Sequence, residues 1–149
     1  MNGELSLPQV EIAVMSMDEK GQVLIGRAQD GWDKDKLTVP ISRILPFELL
    51  SDAAKRTALE WAGINVEPQH ALFVCESINE KIEEHRVVVF IFAKPGSHVS
   101  SPGECFWLDV RELGNYQDEM SAIAVDGFYK LSLTLKQQAA AADPRPRQA

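Results

Sequence analysis

Glu48, Arg56, Glu60, Gly63 and Ile64 follow one another at intervals of eight, four, three and one residues. If the segment is helical, Arg56 and Glu60 lie one turn apart, where such a pair contributes only about 0.3 kcal/mol as a surface ion pair. Arg27, Lys36 and Arg43 could meet phosphate oxygens of a ligand through charge-assisted hydrogen bonds. Trp32, set in a polar stretch, could stack on a base or cover a sheet edge. Solvated surface charge accounts for the three basic residues equally well.

Other chemistry is poorly supplied. The chain has no glycine-rich phosphate loop of either common form and no G-x-S-x-G nucleophile elbow. His70, His85 and His98 are far apart and read as loop or strand-edge residues. Cys75 and Cys105 are too few and too distant to read as a disulfide framework, so the expectation is reduced thiols in a cytoplasmic protein.

The elements that must position these residues occupy a chain of 149 residues, 45% hydrophobic and 25% charged, enough for one domain with its own core. The net charge is −7, and three basic residues and one acid fall in positions 136–149, so the body over 1–135 carries 12 basic against 21 acidic groups. Such a body repels nucleic acid backbones and anionic membranes. It does not repel a small phosphorylated ligand that arrives with a divalent cation. The start lacks a basic and apolar leader pattern, and no run of about 18 apolar residues occurs, which argues against export by that route and against a spanning helix.

Residues 10–16 and 22–27 are β-rich runs around a turn containing Gly21 and read as a hairpin. Residues 37–40 form a short extended piece. Ser51 is placed to cap a helix over 53–62 that Gly63 ends in a left-handed conformation. Residues 64–68 exit that helix, 71–76 read as a strand, and 86–93 form a run apolar on both faces, suited to a central strand. A charged connection covers 79–85. After a Pro/Gly/Ser loop over 94–103 come a short strand at 105–108, one helical turn at 109–113 and a final helix at 121–135. Residues 136–149 read as a disordered low-complexity tail. The order predicts an α/β sandwich, a mixed and partly antiparallel sheet with helices on its faces.

Residues 42–64 resemble the Nudix box, G-x5-E-x7-R-E-U-x-E-E-x-G-U with U aliphatic, of the MutT-like Nudix superfamily. Glu48 and Arg56 match its first glutamate and its arginine, Glu60 the first of its paired glutamates, and Gly63 with Ile64 close it. Ser42 stands at the glycine, Thr57 at the glutamate after the arginine, Ala58 at the aliphatic position and Trp61 on the second paired glutamate. The likeness extends over about residues 8–135.

The resemblance implies a Nudix-like α/β/α sandwich with a cleft for a nucleoside diphosphate linked to another group. It also implies Mg²⁺ or Mn²⁺ as cofactor, held by carboxylates at the positions of Thr57, Glu60 and Trp61, which share a helix face at i, i+3 and i+4. With only Glu60 left of the three, hydrolysis is expected to be severely weakened or lost, and any metal bound by Glu60 and Glu48 to be weakly held. Arg56, whose family role is to hold the missing glutamate, is expected to turn to Glu48 or Glu60, and Trp61 to face the former metal side.

Three readings follow: a protein that binds a nucleotide-type ligand with little turnover; an unorthodox hydrolase using Glu60, Glu48 and an outside carboxylate such as Glu83 or Glu84; and a protein-interaction module, with a homodimer or protein partner, that kept only the fold.

Overall fold

The computed structural model describes residues 7–100 and 103–142. Seven strands, two α-helices and two 3₁₀ segments follow in the order β1 (Gln9–Ser16), β2 (Gln22–Arg27), β3 (Leu37–Thr38), β4 (Ile41–Arg43), α1 (Leu50–Ala62), β5 (Ile64–Asn79), a 3₁₀ turn (Glu80–Ile82), β6 (Glu84–His98), β7 (Phe106–Asp109), a 3₁₀ segment (Val110–Glu119) and α2 (Ala122–Ala142). The larger sheet has the order β4-β1-β6-β5 and the smaller one β3-β2-β7. Strand β1 runs parallel to β6, while the β1/β4 and β5/β6 pairs are antiparallel, so the larger sheet is mixed, as the element order predicts.

The two helices cover opposite faces of this sheet because β1 and β6 are apolar on both. Ile12, Val14, Ile91 and Ala93 face Ala53, Ala54, Ala58 and Ala62 of α1. Ala13, Met15, Val88 and Phe90 face the second core, which Ile123, Ala124 and Leu131 of α2 complete. The alanine face of α1 lets the helix lie close to the strands. Gly127 does the same for α2: a Cβ there would stand 2.5 Å from the Phe90 ring, which explains a glycine inside a helix.

The structure corrects several local expectations. Strands β1 and β2 do not form a hairpin; a single bridge, Met17 with Val23, joins them before they diverge into different sheets. The turn between them is real, with Gly21 at φ 78° and the Asp18 carboxylate accepting from the backbone N–H of Lys20 and Gln22. Both edges of β1 are taken by β4 and β6, which leaves β2 to pair with β3 and β7.

Helix α1 begins one residue before Ser51, with Leu49 at its cap and no side-chain cap bond, whereas Gly63 ends it as expected at φ 60°. Strands β5 and β6 run on through the expected exit and loop segments, since Ile64 pairs with His98. The expected helical turn after β7 extends to a ten-residue 3₁₀ segment. Helix α2 continues through Ala142, seven residues past the expected end, because alanine carries the highest helix propensity. Of the expected tail, 136–142 therefore continue α2, and 143–149 lie outside the described residues. None of the described helices is long and apolar enough to cross a membrane.

Candidate functional site

The N-terminal loop of α1 and the helix itself gather Glu48, Arg56 and Glu60 around one guanidinium. Arg56 Nε donates to Glu48 Oε2 at 2.8 Å, and Nη2 donates to Glu48 Oε1 at 2.9 Å and to the Arg43 carbonyl at 2.8 Å. Its Nη1 reaches Glu60 Oε2 at 3.3 Å and Ser42 Oγ at 3.4 Å. The fork geometry of arginine suits this bidentate grip. Arg56 thus pairs with both glutamates offered to it by the sequence.

Thr57 is fully buried. Its hydroxyl donates to the Ala53 carbonyl at 2.7 Å, back along the helix, and lies 2.5 Å from Ser42 Oγ. With the Thr57 proton spent on Ala53, Ser42 is the donor to Thr57 and in turn accepts from Arg56. The two small hydroxyl residues standing at the box's glycine and glutamate positions are therefore one contact. Trp61 is half-buried, and its indole N–H donates to the Ile41 carbonyl at 2.9 Å, which anchors the ring.

The Glu48 carboxyl is pulled down from its ordinary 4.5 to about 2, first by the Arg56 hydrogen bond and then by the Leu45 N–H. A carboxyl that titrates lower in the folded chain than in the unfolded one stabilises the fold fully above pH 4.5 and loses that contribution as pH falls toward 2. Urea unfolding across this window should therefore show the stability gap between the native chain and Glu48→Gln closing as the pH drops. A gap that stays constant would contradict the assignment.

Beside this clamp lies a cleft of about 720 Å³ whose walls include Glu60, Trp61, Ser42 and Arg43 from the box side, Arg27 from the end of β2 and Trp32 from the loop after it. Glu48, Arg56 and Thr57 do not line it, and Lys36 stands exposed away from it. Arg27 is held by Glu119 at 2.8 Å and by the Asp35 carbonyl at 3.0 Å. Arg43 is exposed, and among the described residues its side chain has no ion pair.

The floor of the cleft holds charges that sequence reasoning missed. Arg86, 2% exposed, bonds Glu11 through Nε, lies 2.8 Å from Asp33 and 3.6 Å from Glu84, and sits 5.5 Å from the Trp32 ring centre. Burial by itself would make this guanidinium easier to deprotonate, but the Asp33 and Glu11 hydrogen bonds outweigh it and hold the proton more tightly. The sequence signal was a charge inside each of two apolar strands, Glu11 in β1 and Arg86 in β6. Glu84 also accepts from Ser77 at 2.6 Å and does not line the cleft; neither does Glu83. Four carboxylates from outside the box do line the cleft, Glu11, Asp30, Asp33 and Glu104, the last accepting from Gln29 at 3.0 Å.

Among solved structures, the chain is similar to a Nudix hydrolase from Nitrosomonas europaea, with a TM-score of 0.74 and 14% identity over 86% of this chain and 90% of that one. It is similar to a MutT Nudix hydrolase from Burkholderia pseudomallei, at a TM-score of 0.68 and 16% identity, covering 84% and 98% of the two chains. A third, the bifunctional NMN adenylyltransferase/ADP-ribose pyrophosphatase of Francisella tularensis, complexed with AMP and a Mn ion, aligns at 0.69 and 13% identity over 90% of this chain and 42% of that one. No protein-family model and no curated protein matches the sequence. The fold is that of the Nudix hydrolases.

The donor set does not fit the divalent cation that this fold implies. Among the described residues no three His, Cys, Asp or Glu side chains converge on a point that could hold a metal ion. Both Glu48 oxygens are committed to Arg56, the Thr57 hydroxyl is spent inside the helix, and position 61 carries an indole. Mg²⁺ demands near-octahedral oxygen ligation, which one exposed Glu60 does not supply.

Proposed function

We propose that the cleft binds a small nucleotide-type ligand and that hydrolysis is weak or lost. The observation that carries this reading is the Arg56 clamp: the guanidinium occupies the carboxylates that would otherwise gather a cation, and the two remaining box positions are a buried threonine and an anchored tryptophan. The cleft volume of about 720 Å³ suits a ligand of nucleotide size. Trp32 offers a face for a base, and Arg43 a guanidinium for a phosphate. The two free, buried cysteines suit a reducing compartment, and the cytoplasm is the location this reading assigns.

The test is nucleotide and phosphate release from nucleoside triphosphates, dinucleotides, ADP-ribose and nucleotide sugars with Mg²⁺ or Mn²⁺, alongside calorimetry on the same panel. Saturable binding without turnover above background is the expected result. Turnover abolished by Glu60→Gln would establish the unorthodox hydrolase instead. The interaction-module reading rests on the exposed apolar residues Leu45, Phe47, Leu49 and Leu50 leading into the start of α1. Absence of binding across the whole panel would leave that reading standing.

A further inference from the structure

The cleft is lined by five carboxylates, Glu11, Asp30, Asp33, Glu60 and Glu104, against the three guanidiniums of Arg27, Arg43 and Arg86. Two of those guanidiniums are already committed. Arg86 serves Glu11, Asp33 and Glu84, and Arg27 serves Glu119. Only Arg43 is left to meet an anion. Among the described residues this acidic excess is not gathered into a cluster of three or more metal-ligating side chains. Glu11 and Asp33 are in turn paired with Arg86, which leaves Asp30, Glu60 and Glu104 as the cleft acids that face an entering ligand without it.

Two tryptophans line the same space, and both are held in place. Trp61 is fixed by its bond to Ile41, and Trp32 already lies over a cation, the Arg86 guanidinium. Indole faces carry negative quadrupole density and attract cationic groups, most strongly where water is excluded. A ring with a fixed positive charge would be attracted both to these faces and to the surrounding carboxylates. A chain of phosphates would meet one free arginine and a surplus of negative charge.

We propose that the cleft selects a nucleotide-type ligand whose base carries a permanent positive charge, as alkylation of a ring nitrogen produces, and discriminates against polyphosphorylated forms. This deepens the nucleotide-binding reading and rests on it.

The experiment is a titration of tryptophan fluorescence, repeated by calorimetry, with 7-methylguanosine, 1-methyladenosine, guanosine, adenosine, GDP and tetramethylammonium chloride at low salt and pH 6. The methylated nucleosides should bind at least about tenfold more tightly than their parents, a step that corresponds to about 1.4 kcal/mol. GDP should bind more weakly than guanosine. Trp32→Leu and the exposed Glu104→Gln should each reduce the preference, and Glu104→Gln keeps the test valid should Trp32→Leu disturb the floor. Equal affinity for methylated and parent nucleosides, or tightest binding by GDP, would overturn the cation preference and leave the nucleotide reading intact. Binding of tetramethylammonium alone would support the charge selection and overturn the nucleotide reading. Silence from every probe would overturn both.

Discussion

Replacing Arg86 with methionine should lower the unfolding free energy by about 3–5 kcal/mol, the cost typical of leaving a buried ion-pair partner uncompensated. The side chains of Glu11, Asp33 and Glu84 around it are 9%, 12% and 11% exposed, so none can turn to bulk water without moving its strand or loop. In a domain of this size that loss corresponds to a fall in Tm of about 10 °C or more. Urea unfolding at pH 7 measures it, and a loss below about 1 kcal/mol would show the network to be solvated and dispensable.

Asp33 follows Trp32 directly in the chain, and its bond to Arg86 ties the loop after β2 to the sheet. The same variant should therefore weaken ligand binding in the cleft as well as stability. Arg86→Lys keeps the charge but not the fork that meets several carboxylates, so it should fall between the two.

Restoring a glutamate at position 57 should destabilise the chain by about 3 kcal/mol or more, because burying a carboxylate costs several kcal/mol per ion. Thr57 is fully buried and packed against Ser42, whose hydroxyl fills the space that a longer side chain needs. Ser42→Gly removes that obstacle. A double-mutant cycle should show Ser42→Gly recovering about 1 kcal/mol of the loss caused by Thr57→Glu, a coupling typical of touching residues. Additivity within about 0.5 kcal/mol would mean that the two departures from the box are unrelated. Coupling would mean that Ser42 and Thr57 form a single adaptation, one that replaces a metal-ligand face by a hydrogen-bonded seam between β4 and α1.

Much of the local order was legible in the residues. The α1 helix and its end at Gly63 follow from the alanine-rich stretch and a glycine that takes the left-handed conformation there. The central position of β6 follows from a run that is apolar on both faces, and the spacing of Glu48, Arg56 and Glu60 carried the resemblance. Each of these is a property of neighbours within a few turns of chain, where backbone propensity and side-chain period act directly.

Strand partners were not legible, and neither was the cleft. The turn at Gly21 is encoded locally, yet whether β1 pairs with β2 depends on competition from β4 and β6, which arrive later in the chain. Glu11 and Arg86 are 75 residues apart, and nothing near either one marks it as half of a buried pair. Only when the parallel register of β1 and β6 sets Gln9 beside Arg86 do the charges meet, with the Asp33 loop closing over them. By itself the sequence determined the helix, the central strand and the spacing of Glu48, Arg56 and Glu60. The tertiary structure decided which acids surround the cleft and which arginines are already spent, because the pairing and burial of charge depend on contacts between distant parts of the chain.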